Sequence, residues 1–492
     1  MRVRLLIKQL LINRKWWCVI CAAIVPFSFT NETRASDQQS VKEADQVQDE
    51  VQEVFNYELD NGLKLLVKPD HRAPVVVSQI WYRIGSSFEL TGSTGVSHVL
   101  EHMMFKGTDR FGPGELSDLV ARYGGSENAF TGRDYTGYYQ SWEKSRLPLS
   151  FAIEANRMTK LSMDSKQFAK EVKVVMEERR QRTEDSPIGT AYERFNAAAF
   201  VSSPYQNPII GWMHDLKRLT LDFTQQWYQQ WYAPNNSTVV VVGDVNPEDV
   251  FELAKIHFGD IPAKSIPLLP LYDEMPPKGE KRIVVKEKVE VPQLMMGFLA
   301  PSIATAKDKE DVFALSMLLN LLDGGLSARF ETHLVRGQEI ASSIGSSYDP
   351  TARGDVLFTI AATPVKGKTL EQLEQAIFTE IEKILESPPS EAEMARTLAQ
   401  IRAAEVFAQD SIFQQASMLG ELSVIDQDWR LARDWDKYLS SVTPSQVQAV
   451  ARHYLNRERL TIAEIVPESA LKPALEPKQT QSKAQATTLE AL

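Results

Sequence analysis

His98, Glu101 and His102 stand at i, i+3 and i+4 in the stretch HVLEHMMFKGT, residues 98–108. On a helix these three share one face, with Cβ atoms about 6 Å apart. Two imidazoles one turn apart can both reach one Zn²⁺ at about 2.0–2.1 Å. The glutamate beside them is then free to take a proton from a water held by the metal, the inverted arrangement of a zinc-hydrolase helix. A buried helix alone accounts for the flanking Val96, Val99, Leu100, Met103 and Met104. It does not account for two histidines and a carboxylate on one face, which burial penalises unless something satisfies them. The chain has 7 histidines in 492 residues, so a pair at this spacing is rarely a matter of chance.

A catalytic zinc takes three protein ligands and keeps a fourth position open. The two cysteines, Cys18 and Cys21, fall in an N-terminal export signal described below, so the third ligand is a His, Asp or Glu. The best source is KQFAKEVKVVMEERRQRTED, residues 166–185, where Phe168, Val172 and Val175 mark an apolar face at helical spacing. Glu171 and Glu178 lie two turns apart on or beside that face, while Glu177 points with Lys170 and Lys173 toward solvent. Glu178 is the candidate ligand, and Glu171 stands one layer behind. Read alone, EERRQR is a solvated charged run.

These residues need elements to position them. YELDNGLKLLVKPD from Tyr57 is a hairpin signal with Asn61-Gly62 at its turn. VVVSQIWYRIG (75–85) and STVVVVGDV (237–245) read as buried strands, and the His98 helix is expected from about Gly95 to Phe105. Residues 262–281 hold five prolines, the composition of a semi-rigid connector. The halves on either side resemble each other in order. RIVVKEKVEVPQLMMGFLAP opens the second as 57–85 opens the first, and FALSMLLNLLDGG (313–325) takes the place of the His98 helix. That alignment sets Ser316, Leu319 and Asn320 against His98, Glu101 and His102, so the second copy has no such chemistry. The expected fold is α+β: two homologous domains, residues 55–261 and 282–469, each a mixed or antiparallel sheet packed by helices, forming a clamshell.

The ends are of another kind. Arg2, Arg4, Lys8, Arg14 and Lys15 precede the apolar run WWCVICAAIVPFSF, and Thr33-Arg34-Ala35 is a small-x-small site. This is the pattern of a cleaved signal peptide over residues 1–35; fourteen apolar residues fall short of the roughly 20 a spanning helix needs. A polar spacer (36–54) follows, and a low-complexity, disordered tail is expected over 470–492. Without its signal the chain has no cysteine, hence no disulfide and no thiol nucleophile. Export without disulfides points to a bacterial periplasm and to no stable membrane span after cleavage. The remaining residues carry 48 Lys+Arg against 64 Asp+Glu, which excludes nucleic acid as a partner, since phosphate neutralisation needs clustered cations.

GVSHVLEHMMFKGT, with Glu178 following 76 residues after His102, resembles the pitrilysin/insulinase family of zinc metallopeptidases, and most of all the short bacterial members related to mitochondrial processing peptidase. GGSENAFTGRDYTGYY (124–139) and WYAPNNSTVVVVGDV (231–245) extend the resemblance over roughly residues 55–470. It implies that His98, His102 and Glu178 bind one Zn²⁺, that Glu101 is the general base and that Glu171 is the supporting glutamate. It also implies that Asn128, Ala129, Phe130 and Thr131 form an edge strand that pairs with a peptide substrate. In such members the second half supplies an arginine and, seven residues on, a tyrosine to the substrate carbonyl. Arg336 fits the arginine, but the tyrosine position falls at Ser342 or Ser343, and Tyr348 has no assigned place. The expected activity is zinc-dependent endopeptidase action on extended peptides in a closed chamber. The competing expectations are a slow or non-catalytic peptide-binding subunit that works as a homodimer or with a paralogue, and a purely structural protein.

Overall fold

Each of two sheets is built around largely buried apolar strands, β6 (Ser237–Gly243) in the first and β8 (Gln293–Ala300) in the second. The computed structural model describes residues 53–268 and 274–468. The expected signal and tail, most of the spacer and the centre of the proline-rich connector lie outside the described residues. The first sheet comprises β1 (Phe55–Glu58), β2 (Lys64–Pro69), β3 (Val75–Tyr82), β4 (Ser126–Thr131), β5 (Thr136–Glu143) and β6 (Ser237–Gly243), in the order β1-β2-β6-β3-β5-β4. The second comprises β7 (Lys281–Glu287), β8 (Gln293–Ala300), β9 (Ala341–Ser347), β10 (Val356–Pro364) and β11 (Leu460–Pro467), in the order β7-β11-β8-β10-β9. With β1 set aside, the orders coincide. The single parallel pairing of each sheet also falls in the same place, β2 with β6 and β7 with β11. The duplication read from weak sequence echoes is therefore a duplication of topology, and the fold is α+β.

Local chemistry explains the elements. The β1–β2 turn carries Asn61-Gly62, with Gly62 at φ +83, a conformation that favours glycine. Asn61 Nδ2 also donates to Phe258 O at 2.7 Å, tying the turn to the chain ahead of the connector. β6 is buried along its whole length, as STVVVV demands.

The helices used below are α1 (Val96–Met103), α2 (Ser165–Arg179), α3 (Pro187–Ala199), α4 (Lys309–Asp323), α5 (Glu391–Gln409) and α6 (Ile412–Val424). α1 follows β3, and α4 follows β8, at the same point of each repeat. One face of the first sheet packs on α1 and its neighbours. Its other face is covered by α6, from the second half: Leu66, Val77, Trp81, Val240 and Val242 meet Ala416, Leu419 and Val424. In return, α3 of the first half enters the second core, where Ala191, Phe195 and Ala199 join the cluster beside β7, β8 and β11. Two glycines make the exchange fit. A methyl at Gly420 on α6 would collide with the Trp81 indole, and one at Gly297 on β8 with the Phe195 ring. Polar bonds follow the same seam, such as Gln79 Nε2 to Ser417 Oγ at 3.0 Å. No helix among the described residues is long and apolar enough to cross a membrane.

Candidate metal centre

α1 carries the histidines because its other faces are apolar and its start is anchored. Val96, Val99, Leu100 and Met103 are fully buried. Ahead of the helix Gly95 has φ +90, and a Cβ there would strike Ile210 O. The Glu89 carboxylate accepts from Gly95 N at 2.6 Å and Ser97 N at 2.8 Å, capping a helix end whose N–H groups have no partner within the helix. Burial pushes this carboxyl up to about 8 despite those bonds. Thr94 Oγ1 donates to buried Asp215 Oδ2 at 2.6 Å. α2 packs alongside α1, its start capped by Asp164, which accepts from Lys166 N and Gln167 N.

The structure brings His98, His102 and Glu178 together, with one ligand atom from each lying within 4.8 Å of the others. Glu178 Oε2 is 3.9 Å from His98 Nε2 and 3.4 Å from His102 Nε2. Tetrahedral ligation at the usual zinc bond lengths separates ligand atoms by about 3.3 Å, a spacing that the 3.4 Å Glu178–His102 distance already matches. The donors also have suitable charge. Burial pulls the His98 imidazole down to about 3, keeping it neutral. Glu178 is held down at about 2: burial opposes ionisation, but its bond to His102 and the charges of His98, Arg182 and His102 outweigh it. Burial pulls His102 down too, yet Glu178, Glu101 and Glu171 carry it upward overall. A metal cation fits where that proton would otherwise sit, because it satisfies the same carboxylates.

Behind the ligands, Glu171 is almost wholly buried, with Oε2 3.5 Å from His102 Nδ1 and Oε1 3.1 Å from Lys106 Nζ. It orients His102 as a carboxylate behind a metal-binding histidine does. His98 Nδ1 is buried without a hydrogen-bond partner, so packing alone holds that ring.

Glu101 lies on the same face of α1, and burial pushes its carboxyl up to about 6. That is near the range where a side chain can both take and return a proton at neutral pH. Its Oε2 accepts from Thr131 Oγ1 at 2.5 Å. Sequence reasoning named Thr131 only for its backbone and missed this hydroxyl. Asn128–Thr131 lie on β4, whose one strand neighbour among the described residues is β5, so among them the other side of β4 is an edge of the sheet.

Arg336 is not brought into contact with this group. Its Nε is 3.2 Å from Glu331 Oε1, and it also donates to Leu326 O. Ser342 Oγ donates to Thr363 O at 3.1 Å. Tyr348 is buried with its hydroxyl on Pro301 O at 2.6 Å, so it serves the second core. Sequence reasoning also missed Arg182, submerged in the charged run, which sits 2.6 Å from Glu178 Oε1.

Comparison with known proteins adds two family matches. Residues 64–212 match the insulinase peptidase family M16, and residues 218–401 match the M16 inactive domain. The chain is 31% identical over 414 residues to the zinc protease PqqE of Helicobacter pylori, covering 83% of this chain and 92% of that one. An uncharacterized zinc protease of Streptomyces coelicolor is 24% identical over 404 residues, covering 81% and 86%. Among solved structures, a protease from Helicobacter pylori superposes with TM-score 0.79 at 30% identity, covering 84% of this chain and 100% of that chain. The first half of the periplasmic protease PqqL from Escherichia coli superposes with TM-score 0.70 at 19% identity, covering 84% and 92%.

Proposed function

The chain belongs to the insulinase family of M16 peptidases, and from that premise we propose that it is a zinc-dependent endopeptidase acting on extended peptides. The observation that carries this reading is the set of donor atoms from His98, His102 and Glu178 within 4.8 Å of one another, on the helix face that also bears Glu101. When bound, zinc supplies a Lewis acid that polarises the scissile carbonyl and makes its water acidic. Glu101 accepts the proton from the attacking water and returns it to the leaving amine, held in place by the Thr131 hydroxyl. Glu171 and Lys106 keep His102 aimed. The edge of β4 takes the substrate backbone as an added strand, which demands an extended chain but little sequence. The attacking nucleophile is water activated by Glu101, so no covalent intermediate forms. The two halves enclose the reaction in a chamber that admits unfolded segments.

The domain assignment belongs to this reading: residues 55–261 as the zinc-binding domain, 262–281 as connector and 282–469 as the inactive homologous domain. So does export. The basic–apolar–small pattern of residues 1–35 directs the chain to the periplasm, where the Escherichia coli relative is described as acting.

A second reading is favoured by one observation. Ser342 or Ser343 stands where the family tyrosine is expected, and Arg336 is engaged by Glu331 and Leu326. Loss of one such donor reduces rate by about 10²–10³, which fits a slow enzyme or a peptide-binding subunit completed by a paralogue.

The test is cleavage of unfolded peptides by the chain from Ser36 onward, read by mass spectrometry before and after chelation and after zinc is restored. Cleavage that disappears and returns supports the endopeptidase. Zinc binding without cleavage supports the partner-dependent subunit.

A further inference from the structure

The two oxygens of Glu178 face different neighbours. Oε2 is turned to His98 and His102, whereas Oε1 is taken by Arg182 Nη1 at 2.6 Å. A carboxylate with both oxygens free can close on a metal as a two-oxygen ligand. With two imidazoles that would complete four-coordination and leave no place for water, while a catalytic site needs one position open. We propose that Arg182 is a positioning residue: by holding Glu178 Oε1 it confines ligation to Oε2 and keeps a coordination position free for water. This rests on the zinc reading above and names a residue that the resemblance does not assign.

The ordinary interpretation is a surface i,i+4 pair contributing about 0.3–0.5 kcal/mol, and the Arg182 side chain is indeed 60% exposed. Two observations go further. First, Arg182 does not continue α2 as a regular turn. It sits in a π-helical turn, Arg180–Glu184, closed by Asp185 N to Arg180 O at 2.7 Å. Single π turns within helices recur at functional sites. This one is clamped from α3: Thr190 Oγ1 donates to Thr183 O at 2.8 Å, and Gly189 lies so close that a methyl there would meet the Arg182 carbonyl. Second, the Arg182 charge lies near enough to the buried His98 and Glu101 to act on both. A planar guanidinium fixes a carboxylate in one orientation better than an ammonium does.

The experiment loads the full exported chain with Co²⁺ and records its visible spectrum, then measures kcat and KM on a peptide. The proteins compared are wild type, Arg182→Ala, Arg182→Lys and Gly189→Ala. The expected result is four-coordinate intensity in both proteins, with the wild-type spectrum perturbed by added azide at its open position and the Arg182→Ala spectrum, from a different ligand set, unperturbed. Its kcat should fall about 10- to 100-fold with KM little changed. Arg182→Lys should restore part of the loss, and Gly189→Ala should shift the spectrum in the direction of Arg182→Ala. Identical spectra and kcat in wild type and Arg182→Ala would overturn the proposal while leaving the zinc reading intact. A wild type that takes up no cobalt would overturn both.

Discussion

α1 and α4 occupy the same point of two repeats with the same strand order, and only one of them can do chemistry. On α1 the inward polar residues depend on other elements: His102 on Glu171 and Glu178 of α2, Glu101 on Thr131 of β4. On α4 the counterparts Ser316 and Asn320 turn back on their own helix. Ser316 Oγ donates to Val312 O at 2.8 Å and Asn320 Nδ2 to Ser316 O at 2.9 Å. The second carrier helix tells the same story. Counted from the N-caps Asp164 and Ser390, Glu171 and Glu178 correspond to Thr397 and Ala404. At these positions the inert half keeps the scaffold and carries side chains that need no distant charge. A metal site is thus a small set of substitutions on a duplicated frame, and the frame's other work is to exchange helices with its twin.

That contrast can be broken in descending order of effect. His98→Ala abolishes stoichiometric zinc binding, measured by metal analysis of the purified chain, whereas Ser316→Ala leaves it unchanged. Equal loss from both would erase the distinction between the halves. Glu171→Gln weakens zinc by about 10- to 100-fold in chelator competition, as removal of an orienting carboxylate does, while Thr397→Val has no effect on the metal. The helix exchange predicts symmetry instead of contrast. Gly420→Ala and Gly297→Ala each destabilise by about 1–3 kcal/mol in denaturant titration, the usual range for overpacking, because Trp81 and Phe195 have nowhere to go.

The smallest effect distinguishes the two helix starts. α4 is capped by exposed Asp308, α1 by buried Glu89. The Glu89 carboxyl is raised in the folded chain to about 8, so the native state holds its proton more tightly than the unfolded one. Stability contributed below about pH 4.5 is lost as pH climbs to about 8. Relative to wild type, Glu89→Gln, neutral throughout, gains stability steadily between pH 5 and pH 8 in denaturant titrations at each pH.

The sequence displayed what is local. The i, i+3, i+4 set on α1, the Glu171/Glu178 face of α2 and the Asn61-Gly62 turn are periodicity and turn chemistry, and all are visible without coordinates. What escaped is what two distant segments do together. EERRQR reads as solvated charge because nothing in the run announces that Arg182 leaves the α-helical path in a π turn and meets Glu178 Oε1. Thr131 looks like any strand residue until β4 is placed beside α1. The crossing of α3 and α6 into opposite cores has no periodic signature either, since each is simply a helix with one apolar face.

The most direct test is Glu101→Gln beside wild type, both loaded with stoichiometric zinc and given the same unfolded peptides. The proposed function makes Glu101 a base and not a ligand, so the variant should keep its zinc and its fold and lose about 10²–10⁴-fold in cleavage rate. A variant that cuts as fast as wild type, or that loses its zinc, would contradict the assignment on which the active half rests.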